Sequence, residues 1–153
     1  MEKYSEVVGL PVICMETGKK AGIISDVIFC PEDKSIRAFF IETKGIRNNK
    51  KIILKEDILN IGKDALIIRS LSCIKPLKKA GKNAELTNNR INGLKVYTKE
   101  GNDLGVVKDI LFDANTLKIE GVEVSDGLFQ DIIQGRKIVP LFGKVEFSNE
   151  FML

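Results

Sequence analysis

The sequence contains an internal duplication, and this feature limits the choice of folds more than any other. Gly9-Leu10-Pro11-Val12 matches Gly93-Leu94-Lys95-Val96 at an offset of 93 − 9 = 84, and residues 22–29 match residues 105–112 at an offset of 105 − 22 = 83. Lys51-Ile52-Ile53 then matches Lys137-Ile138-Val139 at an offset of 137 − 51 = 86, so the second copy has three extra residues in its middle loop. An ordered series of matches at nearly constant offset indicates two copies of one structural unit.

Each copy consists of short segments rich in Val, Ile and Phe, and no long segment has a helical periodicity of 3.6 residues. Turn-forming sequences separate the segments: Glu16-Thr17-Gly18, Pro31-Glu32-Asp33, Lys44-Gly45, Gly62-Lys63-Asp64, Glu100-Gly101-Asn102, Asp113-Ala114-Asn115 and Asp126-Gly127. This pattern is typical of small antiparallel β-folds. The sequence therefore predicts an all-β protein of two tandem small antiparallel β-barrels, residues 5–70 and 91–153, joined by a basic linker over residues 71–90.

The repeated motifs resemble the PRC-barrel family. Each copy has Gly-Leu-x-Val, an acidic turn, a glycine followed by an Asp and a Phe, and an apolar strand, and the first copy closes with Lys-Ile-Ile-Leu-Lys-Glu-Asp-Ile. The second copy departs from the pattern at Val139-Pro140-Leu141-Phe142, which lacks the acidic Glu56-Asp57 of the first. The resemblance implies a barrel of about six strands used for assembly and docking, with no chemistry of its own. Its relatives include the cytoplasmic domain of the photosynthetic reaction-centre H subunit, the C-terminal domain of a ribosome maturation factor, and small sporulation-associated bacterial proteins, which are the most similar in size and layout.

Composition argues against several enzyme mechanisms. The 153 residues include no histidine, which is the commonest general base near neutral pH and the commonest metal ligand. Cys14, Cys30 and Cys73 are widely spaced and form no Cys-x-x-Cys pair, so buried, reduced thiols are expected. We therefore predict a protein that is not an enzyme and has no catalytic residue, metal or cofactor. No apolar stretch approaches the roughly 20 residues of a membrane span, and residues 1–6 do not lead into a secretory signal, so we expect a cytoplasmic protein without membrane insertion.

Three motifs are candidate functional sites, and for each a structural role is favoured or the functional role is not expected. Asp26 and Asp109 hold the same place in the two copies, which suggests either paired carboxylates for acid–base work or acceptors for turn amides; the second is favoured. Gly22 and Gly105 indicate a bend or bulge that requires a missing Cβ. Gly18-Lys19-Lys20 lacks the upstream Gly and downstream Ser or Thr of a phosphate-binding loop, so nucleotide binding is not expected.

The extra loop of the second copy has apolar residues at 128, 129, 132 and 133, a spacing that places them on one face of a short helical turn. Asp126 is a candidate N-cap and Gly135 a candidate stop. This face either closes its own barrel or forms an exposed partner-binding site. The candidate partner-binding residues are Leu128, Phe129, Ile132 and Ile133.

Positive charge is concentrated in the linker, where Lys and Arg exceed Asp and Glu by four over residues 75–90. The candidate basic contacts are Lys75, Lys78, Lys79 and Lys82. Such a segment either binds RNA or an acidic surface, or consists of solvated lysines that keep the linker extended. No aromatic residue is interleaved with the lysines to stack on bases.

From these features we predict a non-catalytic cytoplasmic adaptor whose tandem barrels bind a protein partner or a second copy of the chain. The alternative is an RNA- or ribosome-associated module, which the pI of about 8.7 and the basic linker favour.

Overall fold

The structure is a computed structural model, and it describes residues 2–30, 33–43, 51–77, 91–125, 137–140 and 151–152. The first half contains β1 (Glu2–Lys3), helix α1 (Tyr4–Val7), β2 (Pro11–Cys14), β3 (Lys20–Cys30), β4 (Ser35–Glu42), β5 (Lys51–Leu54), β6 (Ile58–Ile61), β7 (Leu66–Ile68) and β8 (Ile74–Pro76). Single 3-10 turns lie at Lys55–Asp57 and Leu71–Cys73. The second half contains β9 (Lys95–Tyr97), β10 (Asp103–Phe112), β11 (Ile119–Ser125), β12 (Lys137–Pro140) and β13 (Phe151–Met152). In the part of the chain just listed, no helix is long and apolar enough to cross a membrane.

The strands form two sheets, which confirms the prediction of an all-β chain. The seven-stranded first sheet has the order β6-β7-β2-β3-β4-β5-β8, and the six-stranded second sheet has the order β12-β11-β10-β9-β13 with β1 added against β10. In both sheets the two longest strands form the central hairpin, β3–β4 in the first and β10–β11 in the second. Val, Ile and Phe are frequent on these strands, and most residues of β4 and β11 are buried, including the neighbours Phe39 and Phe40.

Backbone hydrogen bonds confirm the duplication residue by residue. The Gly9 amide donates to the Ile24 carbonyl at 2.8 Å, and the Gly93 amide donates to the Val107 carbonyl at 2.8 Å. The register of the central hairpins also repeats, because Ile24 faces Ile41 in the first sheet and Val107 faces Val124 in the second. The two halves therefore have the same local fold, as the matched sequences predict.

The two halves share one hydrophobic core. The Ile36 amide donates to the Leu117 carbonyl at 2.8 Å, and the Ile119 amide donates to the Lys34 carbonyl at 2.9 Å. One continuous cluster of buried side chains extends from Phe39 in the first half to Phe112 in the second. The halves are thus packed against each other, an arrangement that the sequence did not predict.

Two short strands flank the first repeat, one on each side. β1 pairs with β10, with Lys3 facing Leu111, so Glu2–Lys3 belongs to the second sheet although it precedes the first repeat in sequence. β8 pairs with β5 of the first sheet, with Lys75 facing Ile52. Residues 74–76 of the segment predicted as a linker thus form an edge strand of the first sheet, and the half-buried Ile74 packs against the core. Residues 78–90 lie outside the described part.

Candidate docking site

Asp26 and Asp109 occupy equivalent bulges in β3 and β10, where the pairing register shifts after Ile24 and after Val107. The Asp26 carboxylate accepts a hydrogen bond from the Val27 amide at 2.8 Å, and the Asp109 carboxylate accepts one from the Ile110 amide at 2.8 Å. A carboxylate at a bulge satisfies the amide that the irregular ladder leaves without a strand partner. The predicted amide-acceptor role is therefore confirmed, although both residues lie within long strands and not at a strand entry.

Both carboxylates also bind helix α1, a contact that the sequence did not indicate. The Tyr4 hydroxyl donates to Asp26 Oδ1 at 2.6 Å. The Ser5 hydroxyl donates to Asp109 Oδ2 at 2.5 Å, and the Ser5 amide donates to Asp109 Oδ1 at 3.1 Å. One helical turn thus connects the central hairpins of the two repeats, which gives the carboxylates a structural function.

An ion pair strengthens the attachment of the N-terminal strand to the second sheet. Lys3 Nζ lies 2.8 Å from Glu123 Oε1, and Glu123 is a direct neighbour of Asp109 across the β10–β11 pair. The hydrogen bond and the negative charge of Glu123 raise the pKa of Lys3 above its ordinary value. Burial of Glu123 is thereby compensated by a cation at its side.

The three cysteines differ in burial. All three are free thiols; Cys14 is buried, and Cys30 and Cys73 are half-buried. Hydrogen bonding from Thr17 lowers the pKa of the Cys14 thiol, but the residue has no exposed surface through which a substrate would reach it. In the same part of the chain, no group of three or more Cys, Asp and Glu side chains is arranged to hold a metal ion.

The repeated glycines have the predicted geometric role. Gly22 lies where the β2–β3 register shifts, and a Cβ there would overlap the Glu42 carbonyl oxygen and the Ile41 side chain. Gly105 lies at the corresponding shift between β9 and β10 and has φ 117°, a conformation that L side chains rarely adopt. Gly18 belongs to the β2–β3 turn, where its amide donates to the Cys14 carbonyl at 2.8 Å and so is engaged within the hairpin.

Most of the predicted site residues lie outside the described part of the chain. Leu128, Phe129, Ile132 and Ile133 are in the connection between β11 and β12, and their assignment as a partner site stays a prediction. Lys78, Lys79 and Lys82 are also outside. Lys75 is in β8, where its Nζ lies 3.3 Å from Asp57 Oδ2. This lysine is therefore held by an acidic neighbour in the first sheet.

A difference between equivalent positions of the two repeats identifies a candidate site that the sequence did not predict. Ile52 in β5 and Ile138 in β12 are matched by the repeat, yet Ile52 is 0% exposed and Ile138 is 59% exposed. Ile52 belongs to a small second cluster on the outer face of the first sheet, with Ile28, Ala38 and Phe40. Leu54 and Leu77 pack against this cluster.

The two strands also differ in their pairing. β5 lies between β4 and β8, and Lys75 of β8 faces Ile52. β12 is the terminal strand of its sheet, and in the described residues only β11 pairs with it, through Glu123 opposite Ile138. An exposed aliphatic side chain on an edge strand is a recognised site for pairing with another chain. The sequence signal was present in the Lys51-Ile52-Ile53 and Lys137-Ile138-Val139 match, but the match gives no information about what covers each strand.

Comparison with known proteins agrees with the duplicated β-fold. The family model described as the PRC-barrel domain matches twice, over residues 1–72 and 84–146. The uncharacterized protein YrrD of Bacillus subtilis is 26% identical over 133 residues, which is 86% of this chain and 74% of YrrD. The two family matches together span most of the sequence, so the chain belongs to the PRC-barrel domain family.

Proposed function

We propose that this chain is a non-catalytic adaptor of the cytoplasm, built of tandem β-barrels, whose second repeat binds a protein partner. The observation that carries the proposal is the exposure of Ile138 on the edge strand β12, at a position where the first repeat buries its equivalent, Ile52. Removing such an aliphatic side chain from water contributes roughly 1.5–3 kcal/mol, so an uncovered one favours association.

The second repeat carries a further feature that supports the proposal. The apolar segment with Leu128, Phe129, Ile132 and Ile133 directly precedes β12 in the chain, whereas the first repeat has the polar Arg47-Asn48-Asn49-Lys50 at that place. The apolar segment and the exposed Ile138 therefore belong to one connection and the strand that follows it. We propose this half as the partner-binding half.

The charged groups of the described residues support a structural and not a catalytic assignment. Asp26 and Asp109 accept hydrogen bonds from amides and from helix α1, and Glu123 is held by Lys3. General acid–base catalysis requires a titratable group that faces a substrate within hydrogen-bond reach. These carboxylates face neighbouring strands and the N-terminal helix.

The proposal is tested by capture of partners on the tagged full-length chain at low and high salt, with and without nuclease. We expect a protein that stays bound at high salt, because apolar contacts resist salt whereas phosphate contacts weaken steeply with it. Ile138→Asp should release this protein. Ile23→Asp is the matched control, because Ile23 is 37% exposed on β3, a strand paired on both sides.

Two results would contradict the proposal. If the captured material is RNA that is lost at high salt or after nuclease treatment, the chain is a nucleic-acid module that uses Lys78, Lys79 and Lys82. If both Ile138→Asp and Ile23→Asp retain the protein equally, the second repeat does not bind through β12. Sedimentation of the purified chain separates a foreign partner from a second copy of the chain.

A further inference from the structure

The first repeat contains a strand that shows how the edge of the second repeat can be filled. β8 runs antiparallel to β5, with Lys51 facing Pro76, Ile52 facing Lys75 and Ile53 facing Ile74. Behind β8, Leu77 packs on the outer cluster around Ile52. The four residues 74–77 thus have two roles: they complete the edge of the first sheet, and they cover part of its outer face.

In the second repeat, the three positions that correspond to the β5 side of this ladder have no paired strand among the described residues. The equivalents of Lys51, Ile52 and Ile53 are Lys137, Ile138 and Val139, which form β12 and pair with β11 through Val124, Glu123 and Val122. In the described residues the other side of β12 has no strand. Pro140 has no amide hydrogen, but it corresponds to Leu54, which lies outside the β5–β8 ladder. The proline therefore leaves all three pairing positions intact.

We infer that β12 binds an extended segment of a partner protein, which adds as an antiparallel strand in the place that β8 occupies in the first repeat. This inference deepens the proposed function and rests on it. Strand addition at a sheet edge uses main-chain hydrogen bonds for affinity and alternate side chains for specificity.

The residues around the open edge define the chemistry of the segment. In the first repeat, Lys75 lies opposite Ile52 and is paired with Asp57 at 3.3 Å. By the repeat offset, Gly143 corresponds to Asp57 in the sequence. Gly143 has no carboxylate, so it could not pair with a lysine of the partner as Asp57 pairs with Lys75. Glu123, the neighbour of Ile138 on β11, is already bound to Lys3. The partner segment should therefore place an aliphatic residue opposite Ile138, where cross-strand apolar pairs are favourable.

The test uses the full-length chain, labelled with ¹⁵N, and a synthetic peptide with the sequence of residues 70–77 in which Lys75 is replaced by Val and Cys73 by Ser. We expect saturable shifts of the amides of Lys137, Ile138 and Val139. Ile138→Asp should weaken the affinity by about tenfold or more, since it places a charge opposite an aliphatic side chain. Ile23→Asp should leave the affinity unchanged.

A second peptide, in which the positions of the valine and the proline are exchanged, should bind more weakly than the first, because the exchange moves the aliphatic residue out of register. The inference is overturned if the peptide shifts no amide of β12, if Ile138→Asp and Ile23→Asp bind it equally, or if sedimentation shows a dimer of the chain that Ile138→Asp dissociates. Capture of a protein partner that Ile138→Asp releases, with no peptide shift at β12, would leave protein docking standing and reject strand addition alone. Peptide binding at β12 without any captured protein partner would support strand addition at this edge and reject the proposed protein docking.

Discussion

Ser35 of the first repeat forms an antiparallel bridge with Lys118 of the second, and the two residues hold equivalent positions, since 118 − 35 = 83. The hydrogen bonds beside the bridge are reciprocal, because Ile36 donates to Leu117 and Ile119 donates to Lys34. Identical surfaces in mutual contact are the mark of two-fold symmetry. The two repeats of one chain therefore meet locally as the subunits of a symmetric dimer do.

This junction predicts that the chain unfolds as one unit. Leu117 is 3% exposed and belongs to the core cluster that crosses both repeats. Leu117→Ala should lower the free energy of unfolding by about 2–5 kcal/mol, the usual cost of truncating a buried leucine. Urea unfolding followed by circular dichroism should give one transition in both proteins, and hydrogen exchange should lose protection in β3 and β10 together.

Leu59→Ala is the control for this prediction, because Leu59 is a leucine of β6 that is 41% exposed. Its effect should stay within about 0.5 kcal/mol. Two separate transitions, with only the second destabilised by Leu117→Ala, would show that the repeats fold independently.

The Asp109 carboxylate should matter more for stability than the equivalent Asp26. Asp109 is 3% exposed and accepts hydrogen bonds from the Ile110 amide, the Ser5 amide and the Ser5 hydroxyl. Asp109→Asn should cost about 1.5–3 kcal/mol and Asp26→Asn about 1 kcal/mol, since Asp109 is the more deeply buried and hydrogen bonds to a buried charge cost more to lose. Thermal unfolding of both variants measures the difference.

A double-mutant cycle with Ser5→Ala locates the cause. If Asp109 acts through helix α1, the cost of Asp109→Asn should be smaller in the Ser5→Ala background than in the unaltered chain. Additive effects, or equal melting temperatures for all four proteins, would rule out this role for the Ser5 contact.

The all-β class and the duplication were predictable because their signals are local in sequence. Gly22 and Gly105 mark bulges, and the apolar segments between turns have the length and composition of strands. The role of the Asp26 and Asp109 carboxylates was predictable for the same reason, since each binds the amide of the next residue.

The junction and the docking edge were not predictable, because they depend on contacts between distant segments. Lys34 and Leu117 have φ 52° and φ 59°, yet neither is a residue type that favours the left-handed region. The turn sequences before them predict turns but not that the two turns meet. The strand of Glu2–Lys3 is too short for an alternating pattern. Ile52 and Ile138 lie in similar segments, and distant residues make their surroundings differ: β8 and Phe40 beside Ile52, Glu123 beside Ile138.

The close approach at Gly22 leads to a prediction for substitutions. Gly22→Ala places a methyl group on the Glu42 carbonyl oxygen, which is backbone and cannot rotate away, so β3 and β4 must separate. We expect a loss of about 2–4 kcal/mol in urea unfolding, at the upper end of point-mutation effects. Gly62→Ala is the matched control, since the nearest atom to a new methyl group there is the Ala65 carbonyl oxygen at 3.6 Å, and it should be tolerated. Equal stability of the two variants would contradict the close packing.

The turn between β10 and β11 leads to a prediction for acid. Asp113 Oδ1 accepts hydrogen bonds from the Asn115 amide at 2.7 Å and the Thr116 amide at 2.9 Å. The Thr116 amide, followed by that of Asn115, holds the pKa of the Asp113 carboxyl below its ordinary value. A carboxyl whose pKa is lower in the folded state than in the unfolded chain stabilises the fold fully above the unfolded pKa, which is about 3.9 for Asp. That contribution is lost as the pH falls through the lower folded pKa.

Asp113→Ala should therefore lower the free energy of unfolding at neutral pH, and its difference from the unaltered chain should shrink as the pH falls below about 4. Urea unfolding at a series of pH values measures the difference. Glu100→Gln, which removes one negative charge from an exposed turn residue, is the control and should leave the pH dependence of stability nearly parallel to that of the unaltered chain. A constant difference between Asp113→Ala and the unaltered chain across the whole acid range would mean that the turn is stabilised by the shape of the side chain and not by its charge.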